Sequence, residues 1–215
     1  VQARGFALEG KAVMTAPGHP VVLAFDVAKN RTGWAVGSHG MARPFWGVFD
    51  LQGEWEGHQG ARLTEWREFI HHRLLHHAVT HIAIEKPFVD FRAFSFGGTE
   101  STLMKIGVAA QLGYSMGVKV ALVTIQQWRA HFLGSAVAPK HLAEKQRTPW
   151  LKDMAMKRAA ERGWLAQFHD EADALGIMDY ALAALDPDYD HAVGPVTRRV
   201  ELKAEIAAFR GEAPR

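Results

Sequence analysis

The apolar positions of this chain change period as it is read from one end to the other. Val21–Val27 (VVLAFDV) is a continuous apolar run rich in β-branched residues, broken near its end by Asp26, and it predicts a buried strand. Residues 30–33 predict a turn and residues 34–37 a second strand. Residues 45–51 predict a third, with Phe45, Gly47, Phe49 and Leu51 alternating against Trp46, Val48 and Asp50. Short links make these three an antiparallel meander. The period then switches. After a polar loop over 52–60, Leu63, Trp66, Ile70, Leu74 and His77 share one helical face, which predicts a helix over 63–77. Residues 80–85 (THIAIE) predict a fourth strand ending in an acid. An irregular aromatic loop follows over 88–98, with Phe88, Phe91, Phe94 and Phe96. Thr99 or Ser101 can cap the next helix, and Gly117 ends it.

Residues 119–124 (KVALVT) predict a fifth strand, and residues 125–133 a short helix. Residues 134–148 read as a loop, and Pro149 suits the first turn of a helix that Gly163 stops. A last helix starts at His169 and carries Leu175, Ile177, Met178, Ala181, Leu182 and Leu185 before Asp186-Pro187-Asp188 breaks it. An amphipathic segment over 196–209 can dock or dimerise. Three strands, a helix, a strand, a helix, a strand and then helices form an α/β pattern. The expected organisation is a lead-in over 1–20 (with Met14 an alternative start), one domain over 21–185, and a tail over 186–215 with a short helix. The order resembles that of the ribonuclease H-like fold. That resemblance implies a five-stranded mixed sheet, three strands antiparallel and two parallel ones beside strand one, flanked by helices.

Composition narrows the chemistry. At 215 residues and 48% hydrophobic, the chain suits one globular core. No apolar run reaches the roughly 18 residues of a membrane helix, and no signal peptide opens it, so no membrane partner is expected. Without cysteine, disulfides, thiolate metal sites and cysteine nucleophiles are excluded, and a cytoplasmic setting is the expectation. A net charge of +2 is too small to argue for nucleic acid by itself. The placement is more informative: Lys140, Lys145, Arg147, Lys157, Arg158 and Arg162 cluster before the last helix, diluted by Glu144, Asp153 and Glu161.

The acids carry the sharper signal. Asp170 and Asp173 stand three apart, so they share a helix face that runs on into the apolar Ile177. A solvated helix N-terminus would also favour acids there. Asp26, however, interrupts a buried strand, where Asp is disfavoured and costly to desolvate. Glu85 ends the fourth strand. In the ribonuclease H-like sheet strands one and four are neighbours, which sets Asp26 beside Glu85 with the Asp170 helix packed over them. Carboxylates meeting in this way repel unless cations compensate. Hard oxygen ligands without cysteine suit Mg²⁺, or Mn²⁺, rather than zinc. Two such ions about 3.5–4 Å apart can activate water and stabilise the leaving oxygen of a phosphodiester.

Four segments, FDVAKNRTGWAV, IAIEKPF, STLMKIGVAAQLGYSMG and HDEADALGIMDYAL, together resemble RuvC-type Holliday junction resolvases, nearest the phage-encoded branch. The resemblance implies a DNA endonuclease of recombination and repair that works as a homodimer on a four-way junction or related branched DNA. It would act in a bacterial or phage-infected cytoplasm and use two Mg²⁺ ions per site. It places the family's acidic tetrad on Asp26, Glu85, Asp170 and Asp173, with Glu171 and Asp179 on other helix faces. It places a catalytic basic residue on Lys152, a second basic position on Arg129, and a base-stacking aromatic on Phe88. Lys140, Lys145, Arg147, Lys157 and Arg158 then become candidate DNA contacts.

Two features depart from the family pattern: Val27-Ala28-Lys29 stands where a glycine usually follows the first Asp, and the 134–148 segment is long. The crowd His71, His72, His76, His77 and His81 lacks an HExxH pattern and reads as a solvated or dimer-facing helix surface. His169, beside Asp170, is a better candidate for a working histidine, with a helix-cap neighbour the equal alternative. The competing functional readings are an RNA-processing nuclease of the same fold and a non-catalytic branched-DNA-binding protein. A sugar-kinase-like ATPase would need a second domain and Gly-rich phosphate loops that are not seen in the sequence.

Overall fold

Alternate residues of a central strand face opposite sides of a sheet, and in β1 (Val21–Val27) the two sides carry side chains of different size. Leu23 and Phe25 point to one side, Val22 and Ala24 to the other. The computed structural model describes residues 18–41, 43–51, 58–87 and 96–189, with side chains from residue 99 onward in the last stretch. After β1 come β2 (Arg31–Ser38), β3 (Phe45–Asp50), α1 (Gln59–His76), β4 (His81–Glu85), α2 (Phe96–Ser115) and β5 (Lys119–Val123). The last three elements among the described residues are α3 (Ile125–Phe132), α4 (Glu144–Glu161) and α5 (His169–Leu185).

The sheet order is β3-β2-β1-β4-β5. β1 pairs antiparallel with β2 and β2 with β3, while β4 and β5 run parallel beside β1. This is the five-stranded mixed sheet expected from the sequence.

The large-residue side of the sheet, with Leu23, Phe25, Trp34, Val36, Ile82 and Ile84, packs on Trp66, Ile70 and Leu74 of α1 and Ala109 and Leu112 of α2. The small-residue side presents Ala24, Ala35 and Ala83 to α5. Gly33 and Gly37 of β2 let the helix come closer still: a Cβ on Gly37 would lie 2.5 Å from the Met178 sulfur. Every residue of α5 from Glu171 to Ala184 is buried, which is why its sequence is apolar nearly all round.

Several boundaries differ from the sequence expectation. β2 begins at Arg31, not 34, because Arg31, Thr32 and Gly33 pair with Asp50, Phe49 and Val48. α1 starts at Gln59 and α2 at Phe96, ahead of the Thr99 and Ser101 caps. α4 starts at Glu144, so Pro149 lies inside it and not in its first turn. There the Ala143 N–H donates to the Gln146 side chain at 3.3 Å, closing the first turn without a Ser, Thr, Asn or Asp cap. Asp186 and Tyr189, assigned to the tail, pack against the domain: Asp186 is buried. Phe88, Phe91, Phe94 and the 196–209 segment lie outside the described residues.

One buried ionic network ties α5 to its neighbours. Asp179, fully buried, meets His131 Nε2 at 2.6 Å and accepts from Tyr189 at 2.8 Å and from Arg162. Burial alone would raise its pKa, but His131, Arg162 and Tyr189 together lower it below the ordinary carboxylate value. Removing one partner of such a group leaves the others desolvated and unpaired, at about 3–5 kcal/mol. Asp179→Ala is expected to lose about that much in urea unfolding, and Asp179→Asn less, because Asn keeps an acceptor. Equal stability of Asp179→Ala and the parent would contradict the network's role.

Candidate metal centre

Asp26 continues the small-residue side of β1 two positions after Ala24, and Glu85 continues that of β4 two after Ala83. The parallel register pairs Phe25 with Ile84, so Asp26 and Glu85 follow side by side at the carboxyl ends of both strands. Across the antiparallel pair, Asp26 sits opposite Gly33. A Cβ on Gly33 would overlap the backbone carbonyl of Asp170. The missing side chain therefore seats the first turn of α5 directly against β2, beside Asp26.

Asp173 follows one turn on and is only 7% exposed. Glu171 points elsewhere, as expected: its carboxylate accepts from the backbone N–H groups of Gln167 at 2.6 Å and Phe168 at 3.1 Å, capping α5.

The acids are close enough to govern one another's charge. The Asp26 carboxyl is held well above its ordinary pKa by burial first, then by Asp173, Glu85 and Asp170, with Lys152 opposing. Asp173 is raised to about 7, chiefly by burial, with Glu85 and Asp170 adding and Arg129 and Lys152 opposing. Glu85 is raised by burial, against a 2.7 Å hydrogen bond from the Trp128 indole N–H and the nearby Arg129. The structure thus brings Asp26, Glu85, Asp170, Asp173, Lys152 and Arg129 together. Lys152 and Arg129 oppose these shifts without outweighing burial, and all three stay upward.

The donor set fits divalent cations. Asp173 Oδ1 is buried and has no hydrogen-bond partner, which is costly unless something else satisfies it. All four candidate donors are hard carboxylates, the type Mg²⁺ and Mn²⁺ take.

Trp128, Gly33, Arg31 and Lys105 carry no role in the sequence reading, yet each supports this region. Trp128 packs against Gly176 of α5 and hydrogen-bonds Glu85. Arg31 Nε lies 4.0 Å from Asp170 and its guanidinium 4.8 Å from the Phe168 ring centre. Lys105, almost fully buried, donates to the carbonyls of Ala28 at 2.6 Å and Lys29 at 3.0 Å, fixing the loop just after Asp26. Burial and then Arg62 lower its pKa to about 8. A lone lysine within an otherwise apolar helical stretch was its one visible signal.

The other basic candidates differ in setting. Lys140, Lys145, Arg147 and Lys157 are exposed, with Arg147 also donating to the Leu142 carbonyl. Arg158 is bound to the Phe132 carbonyl and Glu161, and Arg162 belongs to the Asp179 network. His169 is exposed. In the α1 histidine crowd, His72 and His76 stack and His77 packs on Phe45. His77 is lowered to about 4 by burial, His76, Arg73 and His72.

No protein-family model and no curated protein matches the chain. Among solved structures, Thermus thermophilus RuvC in complex with a Holliday junction substrate superposes with a TM-score of 0.55 at 18% identity, covering 77% of this chain and 95% of that one. A second Thermus thermophilus RuvC structure gives 0.55 at 17% identity, covering 76% and 95%. The chain therefore has the RuvC-like fold, within the ribonuclease H-like class. None of its described helices is long and apolar enough to cross a membrane.

A carboxyl whose folded pKa is raised stabilises the fold below its unfolded value and loses that contribution as pH rises through the folded one. For Asp173 the window runs from 3.8 to about 7. Metal-free protein should lose up to about 4 kcal/mol across it. Asp179 and Asp186, both lowered, lose their contributions only below the ordinary carboxylate range. Metal-free Asp173→Asn should therefore melt higher than the parent at pH 7.5 and gain less from added Mg²⁺. A lower melting point would contradict this electrostatic account. Gly33→Ala is expected to push the Asp170 turn off the sheet and weaken Mg²⁺ stabilisation, read in the same melting assay.

Proposed function

We propose that this protein is a divalent-metal-dependent nuclease that resolves four-way junctions or related branched DNA. The observation that carries the reading is the meeting of Asp26, Glu85, Asp170 and Asp173 at one end of the sheet, in a fold shared with RuvC. That neighbour is described with a Holliday junction substrate, which supports branched DNA as the ligand class.

In this reading the four carboxylates would hold two Mg²⁺, or Mn²⁺, ions. When bound, such ions supply an activated water for in-line attack and charge stabilisation for the leaving oxygen. The chain's own residues do the positioning. Trp128 fixes one oxygen of Glu85 and leaves the other free. Gly33 sets the height of the Asp170 turn over β2. Lys152 and Arg129 put positive charge beside the carboxylates, where it would stabilise the phosphate as charge builds on it.

The exposed Lys140, Lys145, Arg147 and Lys157 would contact phosphates and make binding salt-sensitive. Arg158, already engaged with Phe132 and Glu161, contributes least. Phe88 would wedge between base steps near the junction centre, and a homodimer would set two such sites on opposing strands.

Incubation of a synthetic four-way junction, a linear duplex and a structured RNA with the protein and Mg²⁺ or Mn²⁺ tests this reading. Paired symmetric nicks in the junction are expected. Asp26→Asn and Asp173→Asn should lose about a hundredfold or more, since even outer-shell changes cost 10–100-fold. Lys152→Ala should lose about a hundredfold, the usual effect of one lost charge-stabilising donor. Cleavage confined to RNA, or junction binding with no cleavage under either metal, would overturn the proposal.

A further inference from the structure

At the other end of α5, about 24 Å from Asp170 by helical rise, three side chains from three separate segments converge. His19 stands just before β1, His39 just after β2, and Asp186 caps the end of α5. One potential ligand atom from each lies within 4.8 Å of the others. His19 Nδ1 is 2.6 Å and His39 Nδ1 3.3 Å from the same oxygen, Asp186 Oδ2. The imidazole centres are 4.4 Å apart with the rings tilted by 38°. We propose that His19, His39 and Asp186 form a second metal site, for a borderline divalent ion such as Zn²⁺, that fastens the two ends of the domain to the β2–β3 turn.

Three features favour an ion over a plain charge pair. The Asp186 side chain is 3% exposed, and its other oxygen accepts from the Asp188 backbone N–H at 3.0 Å. One carboxylate oxygen is thus fixed by the backbone and the other aims at both imidazoles, the usual division of labour in a supported ligand. His39 Nδ1 is buried without an aligned hydrogen bond, despite its closeness to Asp186. A buried ring nitrogen without an aligned hydrogen bond is costly, and an ion shared with His19 and Asp186 would satisfy it.

The ligand type is distinct as well. Two imidazoles and one carboxylate suit Zn²⁺, whereas the all-carboxylate centre suits Mg²⁺. His39 also lines a cavity of about 300 Å³ bounded by Met41, Trp164, Met178 and Tyr189, with room for the water that completes a four-coordinate ion. Binding would link elements far apart in the sequence, so it would stabilise the fold by mass action. Among the described residues, no histidine trio on α1 makes an equivalent group.

The test uses the full chain, stripped of metal, with millimolar Mg²⁺ present to fill the carboxylate centre. Zn²⁺ is titrated against a chromophoric chelator, Co²⁺ is followed by its visible absorption, and melting is recorded with and without Zn²⁺. One equivalent of Zn²⁺ and a Zn²⁺-dependent rise in melting temperature are expected. His19→Ala and His39→Ala, checked for folding by circular dichroism, should each bind at least tenfold more weakly and lose the rise. His19→Gln serves where His19→Ala does not fold. The double variant His72→Ala/His76→Ala, which removes the α1 histidines, should keep both, and so should Asp173→Asn. Zn²⁺ binding that is absent, unchanged in the His19 and His39 variants, or lost in the α1 double variant would overturn the proposal.

Discussion

Mutual repulsion and desolvation among Asp26, Glu85, Asp170 and Asp173 are the constraint around which this structure is arranged. Nothing in the hydrophobic effect favours gathering carboxylates at the edge of a core. The raised pKa values of Asp26, Glu85 and Asp173 reflect an unfavourable energy that the rest of the fold has to outweigh. It does so with the surfaces on either side of the sheet. The large aromatic and aliphatic residues facing α1 and α2 anchor β1 and β4 firmly. The alanines and glycines on the opposite side admit α5 close enough to add its two acids.

That division explains why α5 is so thoroughly buried. A helix carrying two charges into a core needs anchoring elsewhere along its length. Asp179, near its middle, supplies an ion-pair network to α3, to the segment after α4 and to Tyr189. Asp186 at its end meets His19 and His39. Two acids of α5 and the one at its C-cap thus do different work: Asp173 Oδ1 is left unsatisfied at the candidate centre, Asp179 is paired inside the core, and Asp186 is shared by two imidazoles.

The strand acids were legible in the sequence because each breaks a pattern. Asp26 interrupts an apolar run and Glu85 closes one, and a charge in such a place asks for an explanation. The sheet was legible because its strands are short apolar runs set off by turns or helical periods. Other parts gave no local signal. Trp128 looks like any core tryptophan, and only the fold brings its N–H to Glu85. Gly33 resembles a turn residue because turns and close helix approaches both call for glycine. The start of α4 was hidden because its cap is a glutamine acting from inside the helix rather than a hydroxyl or carboxylate ahead of it. The convergence of His19, His39 and Asp186 joins residues up to 167 positions apart, a separation that no sequence window spans.

Calorimetric titration of metal-free protein with Mn²⁺ at pH 6, repeated in buffers of different ionisation enthalpy, tests the central claim most directly. If Asp173 holds a proton there because burial pushes its carboxyl up to about 7, cation binding must expel it. The account predicts a buffer-dependent heat corresponding to about one or more protons released, diminishing as pH rises beyond 7 and reduced in Asp173→Asn. Tight Mn²⁺ binding with no proton release at pH 6 would contradict it.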